Sequence, residues 1–513
     1  MSSIPAIPLL GGIFILYLVY KRFTRVSLDD IPGPEVESFW LGNVGKLYRS
    51  LIGDADFKWQ EQFGGIARIK GPLGQDMLWI CDPKALHCIF QTSGYNFAKA
   101  PERIAMTMLT TDHGLVSADG DVHKRQRKVM MPAFGAPESK ALFPVFTQCA
   151  ESITSKWKDQ LFDAPDQSQV YNVHTWLSYA TMDAIGQAAF DHDFGTIDNR
   201  NGEFVDVYQR LMTKTFGRLS DGRIFFLGVS RYIPLRILEL FYNHMPGLGL
   251  DLVKRNRALA HDFARGIIAN KAEAAAQGKR RHDIMSILVR ANSSEDHTTK
   301  LSDYEMISQM RTILLAGHET TSTSLSFGLW ELAKYPAMQR RLRKEIHEAE
   351  AALKARGQTH FEANDLDSMT YVQACTKEML RFHPTVPHNQ RMAVKDIVIP
   401  LSKPIITVSG KEIQEVLVPK GTRTILSIAA YNRDKSVWGE DAHEFNPDRW
   451  LNRSEKRDVS VGVYGNLLTF SGGVRSCIGW RFAVLELQAL MLELISNFEF
   501  SLTEEAKQLR REP

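Results

Sequence analysis

Cys477 stands in the string Phe470-Ser471-Gly472-Gly473-Val474-Arg475-Ser476-Cys477-Ile478-Gly479, which runs into an apolar helical pattern from Trp480 to about Phe498. A cysteine near a helix start meets unpaired N–H groups and the positive end of the dipole, and both favour thiolate over thiol. Thiolate is the form that ligates a metal. Arg475, two residues earlier, can present a fork of donors to a carboxylate. Gly473 and Gly479 remove side chains where a flat group would approach the backbone. Phe470 adds an apolar wall that keeps water off the sulfur. A lone cysteine at a helix start is more commonly a packing residue, so the weight rests on the whole string.

Two further groups of residues could do chemistry. Ser302-Asp303-Tyr304-Glu305 is a capping box that opens a helical pattern running to about Tyr335, where Pro336 stops it. That helix would be about 50 Å long. Inside it lies Ala316-Gly317-His318-Glu319-Thr320-Thr321. Gly317 in a helix interior costs up to about 1 kcal/mol against alanine, which points to close approach by another group. Glu319 and Thr320 put an acid and a hydroxyl beside it. A second helix, Thr370 to Phe382, ends at His383-Pro384 and carries Glu378 and Arg381 three apart on one face.

Together these strings resemble the cytochrome P450 family. F-x-x-G-x-R-x-C-x-G is its haem-ligand signature, with every fixed position filled. Ala316 to Thr321 resembles its oxygen-activation motif, and Glu378-x-x-Arg381 its E-x-x-R hallmark. The resemblance implies the mainly α haem-thiolate fold with a small β region, haem b as cofactor and Cys477 as axial ligand to the iron. Phe470, Arg475 and Gly479 would surround the haem. Ala316 and Gly317 would leave a groove for dioxygen. Thr320 would hydrogen-bond the bound oxygen, and Glu319 would relay protons inward through water. His123 and Arg127, four apart on the basic turn His123-Lys124-Arg125-Gln126-Arg127-Lys128, would point at a haem propionate, as would Arg391. Arg449, in Phe445-Asn446-Pro447-Asp448-Arg449-Trp450, would complete a buried Glu378–Arg381–Arg449 network. The reaction implied is monooxygenation of a lipophilic small molecule (terpenoid, sterol, fatty acid or aromatic xenobiotic). O2 is the co-substrate. Electrons come from NADPH through NADPH-cytochrome P450 reductase. The alternatives are a haem-thiolate isomerase or dehydratase, against which Glu319-Thr320 argues, and a non-catalytic haem-binding truncated form.

The 513 residues, 44% hydrophobic and 24% charged, fit a large globular domain. A net charge of +3 does not suggest a nucleic-acid binder. Five widely spaced cysteines without C-x-x-C argue against a disulfide framework and for a reducing compartment. Ile4 to Tyr20 is nearly all apolar and is followed by Lys21, Arg22 and Arg25. This predicts residues 1–25 as a single-pass anchor, with the remainder on the cytosolic side of the endoplasmic reticulum membrane. Residues 26–40, with Ile31-Pro32-Gly33-Pro34, read as a stiff linker, and 41–513 as the catalytic domain. Family members usually continue past the position of Pro513 into a closing hairpin, which is expected to be missing here.

Between these landmarks the pattern predicts a hairpin over Ile66–Gly71 and Met77–Cys81 and a helix opened by Asp82-Pro83. An irregular loop, partly apolar, covers 93–119. Amphipathic helices follow over 140–290, with breaks near 164, 201 and 246. Phe225, Phe226, Leu227, Ile233, Leu235 and Leu238 read as a core patch. Short strands cover Asp396–Ile399, Gln414–Val418 and Arg423–Ile428.

Overall fold

The computed structural model describes residues 12, 16, 20, 27–200, 202–208, 219–244, 250–277, 283–292, 300–451 and 459–511. The expected anchor falls almost wholly outside these, as do the breaks at 201 and 246. Among the described residues no helix is long and apolar enough to cross a membrane.

The small β region is a five-stranded sheet in the order β1-β2-β7-β4-β3, from β1 (Ile66–Lys70), β2 (Asp76–Ile80), β3 (Phe97–Ala98), β4 (His388–Ala393) and β7 (Arg423–Ser427). Strands β5 (Ile397–Ile406) and β6 (Glu412–Val418) form a separate antiparallel pair. The expected hairpin is β1–β2, with Ile66 opposite Ile80. Strands β2 and β7 pair in parallel. The central strands β2 and β7 are buried along nearly their whole length, so they read as continuous apolar runs. Asp82 caps the next short helix by accepting from Ala85 N at 3.0 Å, with Pro83 at its first position.

Ten helices place the site: α1 (Pro101–Thr111), α2 (Gly120–Met130), α3 (Phe143–Phe162), α4 (Val173–Ile185), α5 (Leu250–Ala276), α6 (Asp303–Gly317), α7 (Glu319–Lys334), α8 (Pro336–Ala355), α9 (Thr370–Phe382) and α10 (Trp480–Asn497). α10 is apolar nearly all round and lies in the middle of the bundle, against α3, α7, α8 and α9. α4 packs on α7 and crosses α6.

Two expectations are corrected. The segment 93–119 is not a loop throughout, because α1 occupies its middle. Pro101 is at the first helical position, where its missing N–H costs nothing, so a residue that reads as a breaker is a starter. Glu102 in that first turn reaches Arg423 of β7, 2.9 Å away, which pins the helix to the sheet. The long helix from Asp303 is also not continuous. The Ser302–Glu305 capping box forms as expected, but the helix breaks at His318, whose φ is −100° and ψ −53°. Gly317 supplies little helix propensity there. The Thr320 and Ser322 hydroxyls bond back to carbonyls of the preceding turn, which bends helices. The patch around 225–238 is mixed: Ile224 and Leu238 are buried, while Phe225, Ile237 and Leu240 are exposed.

Candidate active site

The cysteine loop is held from three sides. Cys477 N donates to Phe470 O at 2.8 Å, closing the turn, and Phe470 itself is buried. Gly473 has φ +61° and its missing Cβ would sit 1.8 Å from Phe90 O, so this glycine is demanded by both conformation and packing. Gly479 differs: it has an ordinary φ of −92°, and a Cβ there would meet Phe134 only at van der Waals distance. The protein around Gly479 therefore does not itself require glycine.

Cys477 and Ala316 are both exposed, although Ser476 and Leu314 beside them are buried. The exposure is toward interior space, because protein surrounds the sulfur closely enough for burial to dominate its ionisation. Burial pushes the thiol up, and the Gly479 N–H and the Arg127 charge only partly offset it. The sequence expectation of a favoured thiolate is thus not met by protein groups alone. Deprotonation would come with metal binding, since the metal supplies the missing positive charge.

Beside the loop lies an unbalanced set of cations. Arg475 pairs with Asp119 through Nη2, yet its buried Nε and Nη1 have no hydrogen-bond partner. Its guanidinium lies 4.7 Å from the Tyr95 ring centroid, and the Tyr95 hydroxyl is 3.0 Å from His123 Nδ1. Arg391 is buried and donates to Gln390 O at 2.8 Å and Asn389 Oδ1 at 3.1 Å. Burial and the charges of Arg391 and Arg475 bring Lys99 down to about 7. Burial and Arg475 bring Arg391 to about 10. Burial, Lys99, Arg475 and Arg127 bring His123 to about 3. Asp119 is the one carboxylate acting on all three of these groups. So many cations, with two donors open, fit a group bearing carboxylates. Arg127 is turned elsewhere, donating to Ser476 O at 2.8 Å and Ser476 Oγ at 3.1 Å, where it clamps the cysteine loop.

The structure forms the expected three-residue network. Arg381 donates to both oxygens of Glu378, at 2.9 and 2.8 Å, and Arg449 Nε donates to Glu378 Oε1 at 3.0 Å. Trp450 Nε1 and Asn446 N complete the carboxylate, at 2.9 and 2.8 Å. Arg381 also holds the carbonyls of Asn432, Ala442 and Glu444. Asn432 passes the constraint on, accepting from Leu468 N at 3.0 Å just ahead of Phe470.

At the helix break, Gly317 has an occupant that the sequence did not suggest. Its bare Cα admits Ile185 of α4, whose Cδ1 would lie 2.6 Å from an added Cβ. Thr320 Oγ1 donates to Ala316 O at 2.8 Å, and Thr385 Oγ1 donates to Thr320 O at 3.2 Å. Glu319 sets one oxygen 3.1 Å from His318 Nε2 and the other 3.9 Å from His174 Nε2.

The Cytochrome P450 family model matches residues 32–513. The chain belongs to the cytochrome P450 family. A Postia placenta protein named cytochrome P450 monooxygenase 81 is 30% identical over 510 residues, 96% of this chain and 91% of its own. A ganoderic acid synthetase of Ganoderma lucidum is 31% identical over 528 residues, 98% and 93% of the two chains. A cytochrome P450 monooxygenase of Ampulloclitocybe clavipes is 31% identical over 490 residues, 93% and 87%. This cytochrome P450 is therefore a monooxygenase of a haem-bearing family, and its donor set fits that cofactor.

Lys99, Asp119 and Tyr95 were missed by sequence reasoning. Asp119-Gly120 just ahead of the basic turn is a readable helix cap. Nothing in the sequence shows that Lys99 folds under it.

Proposed function

We propose that this cytochrome P450 inserts one oxygen atom from O2 into a lipophilic small molecule, a terpenoid, sterol, fatty acid or aromatic xenobiotic. Haem b would be held by Cys477, and its two carboxylates by Arg475, Arg391 and His123, while Lys99 Nζ is spent on the carbonyls of Leu115, Val116 and Ala118. The observation that carries this reading is the pair of open Arg475 donors in the cation cluster beside Cys477. When bound, the haem supplies the redox chemistry that activates oxygen. The chain supplies the rest. Phe470, buried beside the loop, gives the sulfur an apolar neighbour. Gly479 N–H and Arg127 stabilise its negative charge. Glu319 and Thr320 handle protons. The apolar run 4–20 supports a single-pass anchor in the endoplasmic reticulum membrane, with the catalytic domain cytosolic and NADPH-cytochrome P450 reductase as electron donor. The relatives' fungal origins support a role in secondary metabolism.

The test is the reduced carbon monoxide difference spectrum of the full chain in microsomes. A strongly red-shifted Soret band, followed by reductase- and NADPH-dependent product, is the expected result. A band of neutral proximal ligation overturns the assignment of Cys477. Product formed without NADPH overturns monooxygenation in favour of isomerisation.

A further inference from the structure

His318 occupies the helix break and is fully buried. Its Nδ1 lies 3.2 Å from Leu314 O, and its ring packs 5.3 Å from that of Tyr208. A carbonyl only accepts, so Nδ1 carries a proton. Nε2 has no aligned hydrogen-bond partner, and a carboxylate oxygen, Glu319 Oε1, approaches it at 3.1 Å. A neutral ring with its proton on Nδ1 would set the Nε2 lone pair against carboxylate lone pairs in a buried place, which is unfavourable. One proton between Nε2 and Oε1 removes the conflict. The other oxygen of Glu319 lies 3.9 Å from Nε2 of His174 on α4, within ion-pair reach. The His174 side chain is 48% exposed, with Nδ1 3.3 Å from Ser326 Oγ.

We propose that His318 and Glu319 share one exchangeable proton at the break between α6 and α7, and that His174 reloads the pair from solvent. The inference rests on the monooxygenase reading, because it names the supply behind the proton that Glu319 delivers. The step balances without electrons. The pair gives one H⁺ inward, leaving Glu319 anionic and His318 neutral. A proton on His174 Nε2 crosses that gap to Glu319, and His174 takes another from bulk water. Burial would raise the Glu319 carboxyl, but His318, His174 and the Ser178 hydroxyl outweigh it and hold it below its usual range. Among the described residues the other titratable group facing the pair is Tyr208, pushed well up by burial and the Glu319 charge against a pull from Arg311, so it stays neutral. His318 and His174 are positioning residues, acting through Glu319.

The experiment is infrared titration of the haem-loaded full chain, with Glu319→Gln assigning the Glu319 carboxyl band, together with the pH profile of product formed per NADPH. His318→Gln is expected to move the carboxyl midpoint by about one pH unit or more. His174→Gln is expected to leave the midpoint near its place, lower coupled turnover about tenfold, and enlarge the solvent isotope effect. Wild-type carboxyl titration and wild-type coupling profiles in both variants, with the carbon monoxide band intact, overturn the proposal while leaving monooxygenation standing. If His318→Gln does not hold haem, His174→Gln decides alone: an unchanged pH profile and isotope effect overturn the proposal. A wild type that makes no product indicts the monooxygenase reading instead, and the carboxyl titration still decides whether the proton is shared.

Discussion

The Glu378 network and the Arg475 cluster are both buried and rich in arginine, yet they are built to opposite ends. Around Glu378, both carboxylate oxygens accept bonds, and Arg381 and Arg449 spend their donors on backbone carbonyls of 432–444. Nothing is left to receive a ligand. Around Arg475, its charge lowers the protonation of Arg391, Lys99 and His123 alike, and Arg475 keeps two donors open. A closed network holds a loop in place, whereas an open one awaits a charge from outside. The difference separates a structural ion cluster from a binding site better than burial does, since burial is the same in both.

The largest expected effect comes from breaking the closed network. Glu378→Ala strands two buried guanidinium groups, a loss of about 3–5 kcal/mol. Haem-loaded protein should be nearly absent, read as the yield of the red-shifted carbon monoxide band. Recovery near the wild-type level would show that Asp441 and the carbonyls suffice to hold Arg449.

Breaking the open cluster should cost less. Arg475→Leu removes a cation from a crowded site, so the haem-free protein should gain or keep stability while haem retention falls. Thermal unfolding with and without haem checks the opposite signs. Equal losses in both states would make Arg475 structural.

The pH dependence sharpens the same contrast. Lys99 titrates near 7 in the fold, against 10.5 for an ordinary lysine, so the unfolded chain binds more protons between those values. Stability of the haem-free protein should therefore rise as pH climbs from about 7 toward 10. A bound anionic group would restore the Lys99 charge and flatten that rise. An equal slope with haem bound would mean that Lys99 does not face the haem carboxylates.

The smallest expected effect is at Glu486 of α10, whose buried carboxylate oxygens have no hydrogen-bond partner by geometry. Burial pushes this acid far up, against the pull of the Thr321 hydroxyl, so it is neutral at ordinary pH. Unfolding releases its proton above about 4.5, so the contribution of Glu486 to stability is full below that value and falls as pH rises. Glu486→Gln should keep haem and gain stability over wild type as pH rises, seen in paired melts at pH 5 and 8. A constant difference across pH would mean that Glu486 is ionised and paired.

Some of this was legible from local chemistry. The capping box at Ser302 and Glu305 closes within one turn, and Glu378 and Arg381 meet because they are three apart on one helix. Asp82-Pro83 needs only its own helix to act as a cap. These groups find their partners within a few residues, so spacing alone specifies them. Other features were not legible. Residues 93–119 read as a loop until Pro101 is seen at a helix start and Glu102 to reach Arg423. Gly317 reads as a point of close approach, without showing that Ile185 is what approaches. Lys99 carries no signal at all.

The sequence by itself determined the cysteine loop, the E-x-x-R pair and the family, because backbone turns and helix faces follow from residues near one another in the chain. Tertiary structure decided the rest. Whether a charge is satisfied depends on donors brought from β4, α2 and the cysteine loop at once, as at Arg475, and no local pattern records that sum. The same holds for Glu319, which spacing places next to Thr320 and packing against α4 brings to His174 as well.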